Sequence, residues 1–179
     1  MVATRPLTIA EFATEPLEGR WELIDGERIV VTPAAGSSSF IASRLGHHLN
    51  SYIDEHPIGH VFSADAGFVL FPDRATVRSP DVAFVSRSRL PEIPETFIPM
   101  PPDLAVEILS PTDRLADALA KAAMYLDAGV PLVWLIDPRK RTATIFRQEE
   151  LPVTTSEDGV LEGEGVLPGF TLPLAKLWP

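Results

Sequence analysis

Two apolar segments in the middle of the chain constrain its fold most strongly. Residues 82–85 (Val-Ala-Phe-Val) and 104–109 (Leu-Ala-Val-Glu-Ile-Leu) are apolar at almost every position. A strand that alternates apolar and polar residues has one face in water, whereas a strand that is apolar on both faces lies inside a covered sheet. These two segments therefore predict central strands of a sheet with helices on both faces.

The rest of the chain supplies the other elements of an α/β fold with a mixed central sheet. Asp25-Gly26 between apolar residues predicts an N-terminal β-hairpin, and Thr8 with Glu11 predicts a short helix that begins with a capping box. Apolar residues at spacings of three and four predict helices over 38–54 and from about 113 to 127. The predicted strands are 20–24, 28–32, 61–63, 67–71, 81–85, 104–109, 132–136 and 143–147.

The second long helix and the last part of the chain carry further expectations. Thr112 or Asp113 is expected to cap this helix. Its predicted buried side consists of Leu115, Leu119, Ala122 and Leu126. Beyond the last predicted strand we expect mainly turns, followed by a short helix or turn near 174–177.

Length and composition narrow the class of protein. A chain of 179 residues is expected to form one domain, residues 1–179, around a single core. It has no cysteine, which fits a reducing cytoplasm. No apolar run is long enough to span a membrane. We therefore expect a cytoplasmic protein with no membrane partner.

The net charge of −10 argues against a surface that grips nucleic acid over a broad area. Any contact with DNA is expected to be local, metal-assisted and sensitive to salt. Several basic residues are candidates for contacts with a DNA backbone. These are Arg74, Arg78, Arg87, Arg89, Arg139, Lys140 and Arg141.

Asp81 and Glu107 are the candidate centre of chemistry. Asp81 opens one central strand and Glu107 lies within the other. A carboxylate among apolar residues is costly to bury unless it is paired or binds a cation. The two acids, with the backbone carbonyl of Ile108, would form an oxygen site for a hard divalent cation. In the alternative, Asp81 caps local amides and Glu107 forms a structural pair with a buried Lys or Arg.

Asp117, Lys121 and Tyr125 are spaced by four residues and share one helical face. Lys121 is expected to turn toward the two acids and stabilise phosphate charge, with Asp117 holding it. The alternative is an exposed Asp117–Lys121 pair worth only a few tenths of a kcal/mol.

The chain resembles the Uma2 family, also known as DUF820, which belongs to the PD-(D/E)XK restriction-endonuclease-like superfamily. The resemblance runs from about residue 8 to the C-terminus. The motifs that carry it are Trp21-Glu22-Leu23-Ile24-Asp25-Gly26-Glu27, Ser79-Pro80-Asp81-Val82-Ala83-Phe84-Val85, Pro102-Asp103-Leu104-Ala105-Val106-Glu107-Ile108-Leu109-Ser110-Pro111, Asp117-x-x-x-Lys121-x-x-x-Tyr125 and Trp134-Leu135-Ile136-Asp137-Pro138.

The resemblance implies a restriction-endonuclease-like fold and a Mg²⁺-dependent endonuclease that cleaves DNA, with Mn²⁺ as a substitute. It implies a product with a 5′-phosphate and a 3′-hydroxyl, and a homodimer. It also suggests Glu22 as a third carboxylate of the site, whereas a strand position would equally suit a solvent-facing residue. One departure stands out: the superfamily places a lysine two residues after the acid, and Leu109 stands there. Lys121 is the candidate replacement.

Two further functions stay open. One is a catalytically inactive module that binds nucleic acid or protein on the same fold, which Leu109 and the acidic composition favour. The other is a metal-dependent hydrolase of a small phosphoester.

Overall fold

The computed structural model describes residues 5–14 and 18–179. The helices are α1 (Ile9–Thr14), α2 (Gly36–Glu55) and α3 (Leu115–Asp127), with 3₁₀ turns at Pro72–Arg74 and Leu174–Leu177. The strands are β1 (Arg20–Ile24), β2 (Glu27–Val31), β3 (Gly59–Ser63), β4 (Phe68–Phe71), β5 (Thr76–Arg78), β6 (Val82–Ser86), β7 (Leu104–Ile108), β8 (Leu132–Asp137), β9 (Thr142–Arg147), β10 (Val153–Thr155), β11 (Val160–Glu162) and β12 (Thr171–Pro173).

A mixed six-stranded sheet in the order β10-β9-β8-β7-β6-β3 forms the centre of the protein. β7 and β8 are parallel and are joined by α3, whereas the other pairs are antiparallel. A helix between two adjacent parallel strands covers one face of the sheet. This connection brings α3 over the end of β7, where Glu107 lies.

Both faces of this sheet are covered, as the sequence predicts. Leu104 and Val106 of β7 pack in the same core cluster as α2, whereas Ala105 packs in the cluster that contains Ala118 and Ala122 of α3. Successive side chains of a strand point to opposite faces. Glu107 therefore points to the α3 face, which is otherwise lined by apolar residues.

A second, four-stranded sheet in the order β2-β1-β5-β4 contains the predicted hairpin. Asp25 and Gly26 connect β1 to β2 with φ values of 50° and 78°, as expected for a tight hairpin turn in which both central residues are left-handed. β5 was not predicted, because it has only three residues. This strand carries Arg78 and ends two residues before Pro80-Asp81.

The predicted capping box of α1 is confirmed. The backbone N–H of Thr8 donates to Glu11 Oε2 at 2.9 Å, and the N–H of Glu11 donates to Thr8 Oγ1 at 3.2 Å. The C-terminal part of the chain forms the hairpin β11–β12, which the sequence analysis missed, and the expected turn at Leu174–Leu177. Leu161, Leu172, Leu174 and Leu177 cover the α2 face of the central sheet.

The expected cap of α3 is wrong, and its expected buried side is right for Ala122 and in part for Leu126 but wrong for Leu115 and Leu119. Its N-cap is Arg114, with no side-chain cap, and the Asp113 carboxylate instead accepts the N–H of Ser110 at 2.7 Å. The helix buries Ala118, Ala122 and Tyr125, whereas Leu115 and Leu119 are exposed. The alanines allow α3 to lie close to the sheet, and this rotation turns Lys121 and Tyr125 toward Glu107.

No helix among residues 5–14 and 18–179 is long and apolar enough to cross a membrane.

Candidate active site

Glu107 lies at the centre of the candidate site and is only 8% exposed. Two side chains from α3 bind its carboxylate: Lys121 Nζ lies 3.2 Å from Oε2, and Tyr125 Oη donates to Oε1 at 2.8 Å. Residues four apart lie on the same side of a helix, so α3 presents both groups to one strand. The structure therefore turns Lys121 toward the acid, as the sequence predicts.

Asp81 lies beside Glu107, at the entrance to β6. In the antiparallel pair of β6 and β7, Val82 is opposite Val106, and the same register continued by one residue places Asp81 opposite Glu107. Asp81 Oδ2 accepts the backbone N–H of Ile108 at 2.7 Å. Side chains of directly opposed residues are close neighbours, so the two carboxylates are brought together at one end of the sheet.

Burial makes the charged forms of both acids unfavourable. It raises the pKa of Glu107 to about 7, with Asp81 adding to the rise and Lys121 and Tyr125 opposing it. Burial also raises the pKa of Asp81, although the bond from Ile108 and the charge of Lys121 oppose this shift. A bound cation would favour the ionised forms and lower both pKa values.

Lys121 and Tyr125 both keep their protons at neutral pH. Burial disfavours the charged form of Lys121, but the attraction of Glu107 and Glu22 outweighs it and leaves the pKa of Lys121 above its ordinary value. Burial raises the pKa of Tyr125 well above its ordinary value, and the nearby charges of Glu107 and Glu22 add to this rise. Tyr125 therefore acts as a hydrogen-bond donor that fixes one oxygen of Glu107.

Glu22 is buried rather than solvent-facing, with an exposed fraction of 2%. Arg78 Nη1 lies 2.5 Å from Glu22 Oε2, and the N–H of Ser79 donates to Oε1 at 3.0 Å. Both carboxylate oxygens thus have protein partners. Arg78 is itself 8% exposed. Because it is buried and paired with Glu22, it is not available for the contact with a DNA backbone that was expected from the sequence.

Asp117 lies on the exposed part of α3. Within the described part of the chain, the ion pair of Lys121 is with Glu107, and none joins it to the Asp117 carboxylate. The expectation that Asp117 holds Lys121 is therefore not met. The acid on the neighbouring strand is closer to the lysine because α3 packs directly on β7.

A small cavity of about 110 Å³ adjoins these groups. Among the described residues that border it, Asp81, Glu107 and Asp113 are acidic, and Lys121 and Arg20 are basic. Arg20 is already paired with Asp65 at 3.0 Å. The cavity therefore has an excess of negative charge and hard oxygen ligands.

A magnesium ion fits this donor chemistry, because Mg²⁺ is bound through one or two carboxylates together with water and substrate oxygens. No group of three or more His, Cys, Asp or Glu side chains suited to a metal occurs within residues 5–14 and 18–179. A site here would thus consist of two carboxylates, the Ile108 carbonyl, and oxygens from water or substrate.

Sequence reasoning missed two features of the site. Tyr125 was placed on the correct helical face, but its bond to Glu107 could not be foreseen without the packing of α3 on the sheet. The partner of Glu22 was missed because Arg78 is 56 positions away and lies on a strand too short to be predicted.

The fold is that of a restriction-endonuclease-like protein. The family model Uma2, described as "Putative restriction endonuclease", matches residues 9–175, and the chain belongs to this family. A crystal structure from Anabaena variabilis, described as a "putative nuclease belonging to DUF820", has a similar fold, with a TM-score of 0.81 and 24% sequence identity. The similarity covers 96% of this chain and 97% of that one. No curated protein matches the chain.

Proposed function

We propose that this protein is a Mg²⁺-dependent endonuclease that hydrolyses phosphodiester bonds in DNA. The observation that supports the proposal most directly is that Asp81, next to β6, lies beside Glu107 of β7, with Lys121 bound to the second acid. Family membership supports a nuclease at a coarse level. The metal, the substrate and the catalytic residues belong to the proposal.

Asp81 and Glu107, with the Ile108 carbonyl, would hold Mg²⁺ or Mn²⁺. Such an ion polarises a phosphoryl oxygen and lowers the pKa of a bound water. Tyr125 keeps Glu107 Oε1 in place, so that Oε2 is oriented toward Lys121. Asp81 is fixed in turn by the N–H of Ile108, so both acids are positioned before a substrate arrives.

Lys121 would stabilise the negative charge that develops on the scissile phosphate and help to orient the attacking water. Leu109 supports this assignment, because it packs against the core on the α3 face and has no group that could bind phosphate. Glu22 would support the site by keeping Arg78 in place. Its negative charge also favours the protonated form of Lys121. The product would carry a 5′-phosphate and a 3′-hydroxyl.

The test is cleavage of supercoiled plasmid and of single-stranded DNA with Mg²⁺, Mn²⁺ or EDTA. Asp81→Asn and Glu107→Gln are compared with wild type and with Glu92→Gln, which removes an exposed carboxylate outside the site. We expect metal-dependent cleavage in the wild type and in Glu92→Gln, and its loss in the other two variants. Cleavage that persists in both site variants would show that the assignment is wrong.

A non-catalytic binding module remains the second candidate. The observation that favours it is that Lys121 is already paired with Glu107, while Leu109 stands where the superfamily has its lysine. Stoichiometric binding of DNA or a protein, with no turnover in either metal, would support this candidate. The third possibility is a hydrolase of small phosphoesters. Comparing the hydrolysis of a panel of nucleotides with the cleavage of plasmid DNA distinguishes it from an endonuclease.

A further inference from the structure

A second cavity, of about 440 Å³, opens beside the candidate site. It lies between the hairpin β1–β2 and the first turns of α3, and both Glu107 and Lys121 border it. The proposed chemistry at Asp81 and Glu107 does not use this space. Its position means that a group bound in it would adjoin the scissile phosphate.

One side of this cavity is apolar. It is formed by Ile24 and Ile29 of the hairpin and by Leu109 and Ala118. Ile29 is the cross-strand partner of Glu22, so the two side chains share the face of the hairpin that points toward the site. The next residue, Val30, points to the opposite face and does not border the cavity.

Most of the remaining lining is polar or charged. Arg78 and Lys121 are already paired with Glu22 and Glu107, whereas Asp113, Arg114 and Asp117 are exposed near the start of α3. Cations suit the phosphates of a nucleic acid, and carboxylates accept the amino groups of bases. An apolar wall suits the face of a base, and a volume of this size is typical of small-molecule sites.

We infer that this cavity binds one unpaired nucleotide of a DNA strand, next to the phosphate that is cleaved. The inference rests on the proposed function and narrows its substrate to single strands and to duplexes with an unpaired base. A base inside an intact double helix is stacked and cannot enter a cavity between a hairpin and a helix unless it is first extruded.

The charge of the whole molecule supports the same conclusion. With a net charge of −10, the protein has little long-range attraction for a polyanion. Contacts between a base and the apolar wall of the cavity do not depend on that long-range attraction. An unpaired nucleotide therefore offers a source of affinity that an intact duplex lacks.

The matched variants are Ile29→Trp and Val30→Trp. Both residues lie on β2 and are partly exposed, at 41% and 62%, and tryptophan is well tolerated in strands. Ile29→Trp fills the cavity, whereas Val30→Trp adds the same side chain on the other face. Arg114→Ala removes an exposed cation at the cavity without changing the core.

Binding is measured in EDTA, so that no cleavage follows, by fluorescence anisotropy of labelled oligonucleotides. The substrates are a fully paired duplex and the same duplex with one unpaired 2-aminopurine, whose own fluorescence reports a change of environment. We expect the unpaired substrate to bind at least about tenfold more tightly, since unstacking a paired base costs a few kcal/mol. Ile29→Trp and Arg114→Ala should lose this preference, and Val30→Trp should keep it.

Equal affinity for the two duplexes, or an unchanged preference in both Ile29→Trp and Arg114→Ala, would overturn the inference. So would a complete absence of binding by the wild-type protein. None of these results decides whether Glu107-dependent cleavage occurs, because the cleavage assay with plasmid and single-stranded DNA measures that separately. The failure of the cavity assignment is therefore distinguishable from the failure of the proposed nuclease activity.

Discussion

At the scale of single residues, the main feature of the site is Glu107, because burial raises its pKa to about 7. Glu107 is surrounded by the apolar α3 face of the sheet, and Lys121 offsets only part of the cost of its charge. Because its pKa in the folded protein is above the ordinary value for glutamate, the folded state binds the proton more strongly than the unfolded chain. This contribution to stability therefore falls as the pH rises from about 4.5 to about 7.

This titration can be observed directly. In ¹³C NMR of protein labelled at the glutamate δ-carbons, we expect one signal to titrate near pH 7, and this signal should be absent in Glu107→Gln. Tyr125→Phe should raise the pKa of Glu107 further, because it removes a bond to the charged form. Addition of Mg²⁺ should lower it. A Glu107 signal that titrates near the ordinary pKa would contradict this description of the site.

Glu22 and Arg78 form the other residue-scale feature, a buried ion pair that joins β1 to β5. Glu22→Gln leaves the Arg78 charge buried without its partner, and we expect a loss of about 3–5 kcal/mol in the free energy of unfolding. Glu157→Gln removes one partner of an exposed pair with Arg141 and should cost at most about 1 kcal/mol. Urea unfolding measures both. Equal losses in the two variants would mean that Glu22 and Arg78 contribute no more than a surface pair.

At the scale of secondary-structure elements, the orientation of α3 determines which side chains contact Glu107. The superfamily places its lysine on the strand, whereas here α3 presents Lys121 to the same acid. Lys121→Met should lower cleavage by about 10²–10³-fold, the usual loss for one group that stabilises transition-state charge. Lys176→Met, which removes an exposed lysine outside the site, should have little effect.

A rescue variant tests whether Lys121 on α3 takes the role that the superfamily gives to a lysine on the strand. Leu109→Lys in the Lys121→Met background places an ammonium group two residues after Glu107, and part of the lost activity should return in the plasmid assay. Full activity of Lys121→Met without any rescue would show that the helix lysine takes no part in catalysis.

The sequence predicted the elements with strong periodicity and missed those that depend on distant partners. Residues 82–85 and 104–109, which are apolar on both faces, were correctly predicted as central strands, now β6 and β7. The predicted rotation of α3 was wrong because its leucines were expected to face the core. The close approach of the helix to the sheet instead favours small residues there, Ala118 and Ala122. β5, β11 and β12 have three residues each, and so short a segment has no periodicity to detect.

At the scale of the whole molecule, the protein combines an acidic composition with a proposed role that requires contact with DNA. We propose that the protein is a homodimer, and β2 offers an edge strand that is exposed along most of its length. We therefore expect sedimentation equilibrium to give twice the 19.5 kDa mass of one chain. A mass of 19.5 kDa at micromolar concentration would contradict the proposed homodimer.

The central claim is that Asp81 and Glu107 together hold a divalent cation, and the most direct test is Mn²⁺ binding followed by EPR at pH 8. At this pH Glu107 is ionised, since its pKa is about 7. We predict that the wild-type protein and Glu92→Gln bind Mn²⁺ with the same affinity. Asp81→Asn and Glu107→Gln should each bind it at least about tenfold more weakly, because the loss of a metal ligand should lower the affinity no less than the loss of an outer-shell partner does. Wild-type protein that binds Mn²⁺ no better than these two variants would contradict the account.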